Sequence, residues 1–582
     1  MKLKSVKIHN FRGIIEQEIV LKNYTLLVGP NNAGKSCVID AIRAFYEKDG
    51  FKYKKEHDFP HLGSTDEESW IELTFSLNKE EHDSLPDHYK IAQQELTVRK
   101  YFQTESKTHD GKPSAGSIFA YKTDGSLSNE PFFGAKNVQS GKFGDLVYIP
   151  AISKVDEHAK LSGPSALRDL LTDIMSDVVE AGKAYVDFTS NVQTFADSIR
   201  DEKTADDRSL SGFETELNAL LEPWETQFKL KFPPPSAAEI IKSMLGWDLF
   251  DQAHGKAQSI DYYGSGFQRH FIYSLIQLGS RYVGKKPVKK VKDFTPSLTL
   301  ILFEEPEAFL HPPQQEVLAR NLMSVSEADH WQVVCACHSA HFVSKNAADI
   351  PAIVRLRRSD GKVVKFQIEE SEWKTIVDAN QVIIAIAKKY PKMEKRLHDD
   401  DAKPEMEAVK HFLWLNPDRS SLFFANHVLL VEGPTEVALI NRLVGDGKIK
   451  KADCGLYVLD CIGKYNIHRF MNLLSHLGVP HAVLHDDDND KEEHKEINQL
   501  IEDSKHPTFT LNIKRIPGKL EAMLEIPAAG SDHRKPQHVL YLYETGKINA
   551  AKINAFCELV ESCLPSKTVS KLLGTGSPVV AI

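Results

Sequence analysis

The chain has little cysteine and no long apolar segment. Its 582 residues include seven cysteines, and none forms a C-x-x-C pair with histidine partners, so we expect reduced, mostly buried thiols and no zinc site. No stretch approaches the roughly 20 consecutive apolar residues that a membrane span requires. The N-terminus, Met1–Phe11, alternates apolar and polar residues and lacks the apolar core of a secretory signal. We therefore expect a cytoplasmic protein without a membrane segment.

Strong positive charge is also missing. The formal net charge is −9, so the composition gives no sign of a strongly basic nucleic-acid-binding surface. A local basic run at Lys285–Lys292 is compatible with an acidic average, although such a run is more often a solvated connection. A chain of this length is too long for one hydrophobic core and should form about three or four domains.

Apolar periodicity predicts an α/β fold. The opening segment predicts two strands joined by a turn at Phe11–Gly13. Ile71–Leu77 and Leu96–Phe102 alternate with period two, which predicts an antiparallel side sheet. Leu298–Phe303 and Trp331–Cys337 are nearly continuous apolar runs, which are typical of a parallel sheet buried on both faces.

A phosphate-binding pattern stands near the N-terminus. Residues Gly29–Ser36 complete G-x-x-x-x-G-K-[ST] directly after the apolar run Tyr24–Val28 and before Val38–Ile42, so the predicted order is strand, loop and helix. Glycines let successive backbone N–H groups turn toward phosphate oxygens, and the helix N-terminus adds the positive end of its dipole. We expect Lys35 to contact the β- and γ-phosphates and Ser36 to hold Mg²⁺. The alternative is a glycine-rich turn with a solvated lysine.

Two adjacent carboxylates end one of the buried strands. In Phe303–Glu307, we expect Glu304 to bind Mg²⁺ and Glu305 to orient and deprotonate the attacking water. His338 follows the next strand, where an imidazole could sense the γ-phosphate. The alternatives are a solvated acidic strand end and a structural histidine. Tyr263–His270 is a Ser/Gly turn that opens a helix, which is a weak sign of a second anion-binding helix terminus.

Together these motifs resemble the ABC-type ATPases of the SMC, Rad50 and RecF kind. The matching segments are similar to the Walker A, signature, Walker B, switch-histidine and N-terminal motifs, in the order Gly29–Ser36, Gly264–Arg269, Glu304–Glu305, His338 and Asn10–Gly13. The resemblance implies an ATP-binding head that dimerises around two ATP molecules, with Ser265 and Gly266 contacting the nucleotide of the opposite subunit. The residues that it places around nucleotide and Mg²⁺ are Arg12, Gly29, Asn31, Asn32, Gly34, Lys35, Ser36, Ser265, Gly266, Glu304 and His338.

The sequence departs from that family pattern in two ways. Glu304 stands where most ABC-type proteins have aspartate. The segment between the phosphate loop and the signature motif holds no long coiled coil, so we do not expect a tethering protein of the SMC or Rad50 type.

Acidic residues follow two predicted strands in the C-terminal third. His427–Val431 leads directly into Glu432, and Ala482–His485 leads into Asp486 and Asp488. In an α/β sheet both strand ends would lie at the same carboxyl edge. Carboxylates that meet there repel one another unless a divalent cation neutralises them, and oxygen ligands favour Mg²⁺ or Mn²⁺. The alternative is a solvated acidic loop.

This part of the chain resembles a TOPRIM domain, the metal-dependent module of topoisomerases, primases and certain nucleases. Glu432 is similar to its glutamate and Asp486 with Asp488 to its D-x-D pair. An ATPase of the type above followed by a TOPRIM domain resembles the OLD (overcoming lysogenization defect) family of nucleases. This resemblance further implies metal-binding roles for Glu436 and Glu521 and a family position at Gly463.

The resemblance also implies a downstream lysine near the scissile phosphate. Lys535, which precedes a proline, is the best match. The competing candidates are Lys514, Lys552 and Lys567, and for each of them a solvated surface residue is the favoured interpretation.

The predicted domain order is an ATPase domain interrupted by a helical insertion, then a linker and a nuclease domain. Repeated apolar spacing at Leu167, Leu170, Leu171 and Ile174 predicts the insertion, which we expect to act as a dimerisation arm. The predicted bounds are 1–155 and 236–370 for the ATPase parts, 156–235 for the arm, 371–420 for the linker and 421–582 for the TOPRIM domain.

We therefore predict an ATP-regulated, Mg²⁺- or Mn²⁺-dependent DNA endonuclease that forms a homodimer or higher homo-oligomer. The resemblance implies a role in defence against phage, either with a helicase-like partner or as the effector of a retron, restrained by a reverse transcriptase and its RNA–DNA product. The main alternative is a RecF-like ATPase clamp on DNA with a non-cleaving TOPRIM platform. Topoisomerase and primase activities are disfavoured, because no winged-helix-like segment and no zinc ribbon are evident.

Overall fold

The structure is a computed structural model that describes residues 1–565 except 48–49, 134–141, 152–171, 173–174, 177, 181, 207, 245–248, 253–254, 259, 283–293, 295, 345–346, 396, 404–405, 408–409, 411–416, 451–454 and 489–490. The chain divides into two compact units, residues 1–151 with 293–582 and residues 152–292. Leu167, Leu170, Leu171 and Ile174 of the predicted arm, the basic run Lys285–Lys292 and the candidate Lys567 lie outside the described residues.

A six-stranded sheet forms the centre of the first unit. Its strand order is β13-β12-β3-β11-β10-β7, and all neighbours run parallel except the β12–β13 pair. The strands are β3 (Tyr24–Val28), β7 (Asp145–Ile149), β10 (Thr299–Glu304), β11 (Trp331–Ala336), β12 (Ile353–Ser359) and β13 (Lys362–Gln367). Strands β10 and β11 pair in parallel, and Leu300–Phe303 of β10 and all residues of β11 are buried, which confirms the prediction of a parallel sheet covered on both faces.

An antiparallel sheet in the same unit has the order β2-β1-β4-β5-β6. Its strands are β1 (Lys2–Phe11), β2 (Ile14–Val20), β4 (Ser69–Ser76), β5 (Glu95–Gln103) and β6 (Ile118–Ala120). The period-two alternation is visible in β4, where Ile71, Leu73 and Phe75 are fully buried. The predicted antiparallel pairing of the segments around residues 71–77 and 96–102 is confirmed.

The C-terminal part carries a third sheet, which is entirely parallel. Its order is β15-β14-β16-β17. The strands are β14 (His427–Val431), β15 (Leu456–Asp460), β16 (His481–Asp486) and β17 (Thr510–Ile516). A separate hydrophobic core, which includes Leu429, Leu439, Leu484 and Phe556, packs around this sheet.

Helices cover the two parallel sheets. In the first unit they are α1 (Lys35–Tyr46), α2 (Lys55–Asp58), α3 (Lys79–Asp83), α8 (Pro312–Ser326), α9 (Glu370–Asn380), α10 (Val382–Ala387), α11 (Pro391–Glu394), α12 (Pro417–Ser420), α13 (Pro434–Gly445), α14 (Ile467–His476), α15 (Glu492–Asp503), α16 (Leu520–Met523), α17 (Lys535–Glu544) and α18 (Ala550–Cys563). Helix α14 packs through a single apolar face. Its buried residues Ile467, Phe470, Met471 and Leu474 recur at the three- and four-residue spacing that places them on that face.

The second unit is mainly helical in its described part. It contains α4 (Lys183–Asp201), α5 (Leu210–Leu221), α6 (Ala237–Met244), α7 (Ser265–Tyr282) and a hairpin of β8 (Leu249–Asp251) with β9 (Lys256–Gln258). Large apolar side chains that remain exposed on α4, on α5 and just after it are Val186, Phe188, Phe195, Phe213, Leu220 and Trp224. Among the described helices of the whole chain, none is both long and apolar enough to cross a membrane.

Candidate functional site

The phosphate-loop pattern forms a loop between β3 and α1. Strand β3 ends at Val28, and α1 begins at Lys35. The Lys35 ammonium is buried and donates to the carbonyls of Gly29 (2.9 Å) and Pro30 (3.0 Å). Burial lowers the pKa of Lys35 to about 8. A phosphate oxygen would be a stronger acceptor than either carbonyl, because the hydrogen bond would join two charged groups.

Two glycines of the loop have no room for a side chain. Gly29 has φ +137°, and a Cβ there would lie 2.2 Å from the Leu356 carbonyl oxygen of β12. Gly34 has φ +102°, and a Cβ there would lie 2.5 Å from the Val363 side chain of β13. The loop is therefore packed directly against the β12–β13 pair.

The other predicted nucleotide residues of the first unit fall into two groups. Asn31 and Asn32 on the loop and Ser36 in the first turn of α1 are exposed, so a ligand could reach them. Arg12 instead donates to Asp40 (2.6 Å) and Asp58 (2.8 Å), so its guanidinium is held by two carboxylates.

The predicted Walker B glutamates and the histidine lie at the carboxyl ends of neighbouring strands. Glu304 ends β10 and is in register with Ala336 of β11, two residues before His338. Tyr148 donates to Glu304 Oε2 at 2.7 Å, whereas Oε1 is buried and no described residue forms a hydrogen bond with it. That orphaned oxygen fits the predicted Mg²⁺ role. Glu305 has φ +44°, and its backbone N–H donates to the Ala336 carbonyl at 2.7 Å.

Glu307 also belongs to this cluster, although we assigned it no role from the sequence. Its Oε1 accepts the backbone N–H of His338, and its Oε2 is buried with no hydrogen-bond partner in the described part of the chain. Burial raises the pKa of Glu307, and burial together with the nearby Lys35 charge lowers the pKa of His338 to about 4. His338 is therefore neutral at pH 7. Glu307 stands in the same Phe303–Glu307 motif, so its nearness in sequence was the available signal.

The predicted signature residues belong to the second unit. Ser265 is the first residue of helix α7, and Gly266 follows it. The exposed Phe267 ring lies 4.5 Å from that of Tyr263, so an aromatic pair lines the start of the helix.

In the C-terminal sheet, three predicted acids converge. Glu432 follows β14, Asp486 ends β16 and Asp488 lies two residues further on. One carboxylate oxygen from each lies within 4.8 Å of the others. The Asp486 backbone N–H donates to Glu432 Oε1 at 2.8 Å, and Asp488 adopts φ +45°. The parallel pairing of β14 with β16 produces this convergence, because it places both carboxyl ends at one edge.

Burial changes the ionisation of these acids. It raises the pKa of Glu432 and of Glu436 to about 7 and that of Asp486 to about 8, and repulsion by neighbouring carboxylates adds to each increase. Glu436 lies in the first turn of α13 and accepts the Gly433 N–H at 3.1 Å. Glu521 lies in the first turn of α16, and its charge contributes to the raised pKa of Asp486.

A buried lysine that the sequence analysis did not assign lies among the three acids. The Lys464 Nζ donates to the Asp486 carbonyl at 2.5 Å and lies 4.0 Å from Glu432 Oε1 and 3.9 Å from Asp488 Oδ2. Burial lowers the pKa of Lys464, and the surrounding carboxylates oppose that decrease. The family position at Gly463, directly before it, was the signal that could have identified it.

The lysine candidates lie at different places. The Lys535 Nζ lies 3.7 Å from Glu521 Oε1, and the Lys552 Nζ lies 2.7 Å from Glu525 Oε1. Lys514 is on β17, in register with Leu484. Lys519, which was not a candidate, has its Nζ 3.9 Å from Asp488 Oδ1. Lys535 thus reaches the edge of the acidic cluster through Glu521.

The cluster fits a hard divalent cation on two observations. Its candidate ligands Glu432, Asp486 and Asp488 offer only carboxylate oxygens, which are the donors that Mg²⁺ and Mn²⁺ prefer. Asp486 Oδ1 is buried and has no hydrogen-bond partner among the described residues, so an ion would satisfy an otherwise orphaned atom.

Two family models match this chain, one in its N-terminal part and one in its C-terminal part. Residues 1–143 and 152–343 match the family model described as AAA ATPase domain, and residues 423–488 match the model described as overcoming lysogenization defect protein-like, TOPRIM domain. The Old nuclease of Escherichia phage P2 is 25% identical over 499 residues, which cover 84% of this chain and 77% of that protein. The endonuclease GajA of Bacillus cereus (strain VD045) is 23% identical over 504 residues, which cover 84% and 75%.

Among solved structures, an SMC head bound to the C-winged helix domain of ScpA covers 64% of this chain and 100% of its own, with 12% identity and a TM-score of 0.36. The family models and the strand order confirm the predicted fold class, an α/β chain with an ATPase domain followed by a TOPRIM domain.

Replacing Gly29 with alanine should abolish ATP binding and destabilise the first unit. The new methyl group would collide with the backbone of β12, and the positive φ adds about 1–2 kcal/mol of strain. Gly125→Ala is the matched control, since Gly125 has φ +80° with no atom near its Cβ position. Fluorescent-nucleotide titration and urea unfolding measure both effects. Tight ATP binding by Gly29→Ala would contradict the loop geometry.

Divalent metal should stabilise the protein more at pH 8 than at pH 6. The folded-state pKa values of Glu432, Glu436 and Asp486 lie above the usual carboxyl range, so metal-free stability falls as pH rises through them. Mn²⁺ competes with those protons, and its apparent affinity should fall at least ~10-fold between pH 8 and pH 6. Thermal unfolding with and without Mn²⁺ measures this, and Asp486→Asn should reduce the shift. An equal shift at both pH values would count against a metal site here.

Proposed function

Since the chain belongs to the AAA ATPase domain family and matches an OLD-like TOPRIM domain over residues 423–488, we propose that it is an ATP-regulated, divalent-metal-dependent DNA endonuclease. The observation that carries this proposal is the convergence of Glu432, Asp486 and Asp488 within 4.8 Å at one sheet edge. The names of the relatives, Old nuclease and endonuclease GajA, support it further.

The chemistry follows from the donor set. A bound Mg²⁺ or Mn²⁺ would supply Lewis acidity, which activates water and stabilises the oxygen that leaves a phosphodiester. Glu432, Asp486 and Asp488 would hold the cation, and Glu436 and Glu521 extend the acidic set beside it. The buried ammonium of Lys464 holds the Asp486 carbonyl and so fixes the turn that leads to Asp488.

Lysines at the rim of the cluster would hold the DNA. Lys519 and Lys535 lie next to Asp488 and Glu521 and are partly exposed, so their ammonium groups could contact phosphates on either side of the scissile bond. We keep Lys535 as the first candidate for the group near the scissile phosphate, and Lys519 joins it as a second.

Removing single acids should abolish DNA cleavage. Glu432→Gln, Asp486→Asn and Asp488→Asn each delete a candidate ligand, so Mn²⁺- or Mg²⁺-dependent plasmid nicking should fall by at least ~100-fold, the effect of losing several kcal/mol of transition-state stabilisation. Gel assays of supercoiled plasmid, with and without each metal, measure the loss.

The matched control is Asp460→Asn. Asp460 ends the neighbouring strand β15 at the same sheet edge, but it lies outside the three-acid cluster and pairs with Arg419. This variant should cut at nearly the wild-type rate. Full cleavage by the Glu432 and Asp486 variants would falsify the nuclease assignment. DNA binding without cleavage in any divalent metal would favour the RecF-like clamp.

The ATPase half is proposed to bind and hydrolyse ATP with Glu305 as the base. Its support is the position of Glu305 directly after β10, next to Glu304 with its orphaned oxygen. Glu305→Gln should retain ATP binding and slow turnover by about 100-fold, the lower end of general-base effects. A phosphate-release assay and a nucleotide titration separate the two steps.

Glu307→Gln is the comparison variant for this experiment. Glu307 is buried close to Lys35, so it could take the same role. Unchanged turnover in Glu305→Gln together with a large loss in Glu307→Gln would move the base to Glu307.

The proposal includes a homodimer or higher homo-oligomer, formed through the ATPase heads and the helical second unit. The exposed apolar side chains of α4 and α5, among them Phe195 and Leu220, support a covered surface in the assembly. We extend the proposal to a role in defence against phage, with a helicase-like protein or a retron reverse transcriptase and its RNA–DNA product as the partner.

A further inference from the structure

A single buried arginine connects the ATPase sheet with the C-terminal sheet. Arg355 lies on β12 and is 1% exposed. Its guanidinium donates to the carbonyls of Phe423 (3.2 Å), Ala425 (3.0 Å), Leu477 (3.3 Å) and Gly478 (2.9 Å). These described partners are all backbone oxygens on two short segments.

Both segments lead directly into the strands that carry the acidic cluster. Residues 423–425 precede β14, which ends just before Glu432. Residues 477–478 precede β16, which ends at Asp486. Arg355 therefore fixes the amino ends of two adjacent parallel strands whose carboxyl ends carry the proposed metal ligands.

On its other side, β12 contacts the phosphate loop. Arg355 is in register with Val28, the last residue of β3 before the loop. The next residue, Leu356, presents its carbonyl oxygen to Gly29 at a distance that leaves no room for a Cβ. A change in the loop when phosphate binds would therefore press on the backbone next to Arg355.

Contacts of β13 also join the phosphate loop to the C-terminal sheet. Val363 of β13 lies against Gly34 of the loop, and Phe366 of the same strand fills the space beside Gly478. The Phe366 ring also packs edge-on against Phe509, directly before β17, with ring centroids 5.5 Å apart. The β12–β13 pair thus contacts the loop with one part and the base of the C-terminal sheet with another.

The contact at Arg355 is charged as well as buried. Burial lowers the pKa of Arg355 to about 9, which leaves the guanidinium protonated at pH 7. Only a planar group with several donors can reach carbonyls on both segments at once. Lysine would keep the charge but lose that shape.

We infer that Arg355 is a positioning residue through which nucleotide at the phosphate loop sets the alignment of Glu432 with Asp486 and Asp488. This inference rests on the proposed nuclease function and names the residue that regulates it. A purely structural role would lower the cleavage rates with and without nucleotide equally. A coupling role changes their ratio.

The first experiment compares Arg355→Lys with the wild type in plasmid cleavage, with Mn²⁺, in the presence and absence of a non-hydrolysable ATP analogue. In the wild type the analogue should change the rate, in either direction, by at least about 5-fold, the lower end of coupling between sites. In Arg355→Lys the ratio should approach one while the analogue still binds. Arg358→Lys, an exposed arginine on the same strand, should keep the wild-type ratio. A wild-type ratio in folded Arg355→Lys overturns the inference, and so does a wild type that does not respond to the analogue.

The second experiment uses only the wild-type protein, so it tests the coupling even if Arg355→Lys does not fold. Amide hydrogen exchange of the wild-type protein is measured with and without the ATP analogue and without metal. Residues 423–431 and 477–486 should change protection along with the phosphate loop. Changes confined to the loop and its immediate neighbours overturn the inference. Because this readout does not involve DNA cleavage, it also distinguishes failure of the coupling from failure of the nuclease assignment.

Discussion

The burial of like charges at one edge of a parallel sheet is the constraint on which the C-terminal part of this protein depends. Strands β14 and β16 have buried apolar centres, Val428–Val431 and Ala482–Leu484, and they pair in parallel so that they end at the same edge. The carboxylates at and directly after these strand ends are therefore brought together at that edge. Burial raises the pKa of Glu432, Glu436 and Asp486 into the neutral range, because their charged forms repel one another in a poorly solvated site. Lys464 supplies one compensating charge, and a divalent cation would supply more.

The phosphate loop has the opposite electrostatic problem. Among the described residues, the buried Lys35 ammonium has only carbonyl oxygens of its own loop as hydrogen-bond acceptors, and burial lowers its pKa to about 8. A phosphate would restore a full negative partner. Glu304 and Glu307 each have a buried oxygen without a hydrogen-bond partner among the described residues, and a cation would satisfy these oxygens. Both sites therefore hold groups whose preferred partners are ions of the opposite sign.

Much of this arrangement could be predicted from the sequence, because the motifs are local and the strand rule is general. The residues of Gly29–Ser36 are contiguous in the sequence. The convergence of Glu432 with Asp486 follows once two parallel strands are recognised. Lys464 and Arg355 could not be predicted in the same way. Lys464 reaches Asp486 from 22 residues away, and Arg355 reaches carbonyls up to 123 residues away. No periodicity specifies such contacts, since backbone carbonyls carry no sequence signature. Glu307 was visible in its motif, but its bond to the His338 backbone depends on the register of β10 with β11.

The stiffness of short buried strands makes the Arg355 contact suitable for control at a distance. Strand β14 has five residues and β16 has six, and both are held by ladder hydrogen bonds along their length. A displacement at their amino ends would therefore be transmitted toward their carboxyl ends. Metal coordination by three carboxylates tolerates little change in oxygen positions. Because Arg355 bonds to the segment before β14 through Nε and Nη2 and to the segment before β16 through Nη1, a shift of β12 that moves the two segments unequally would change the spacing between Glu432 and Asp486.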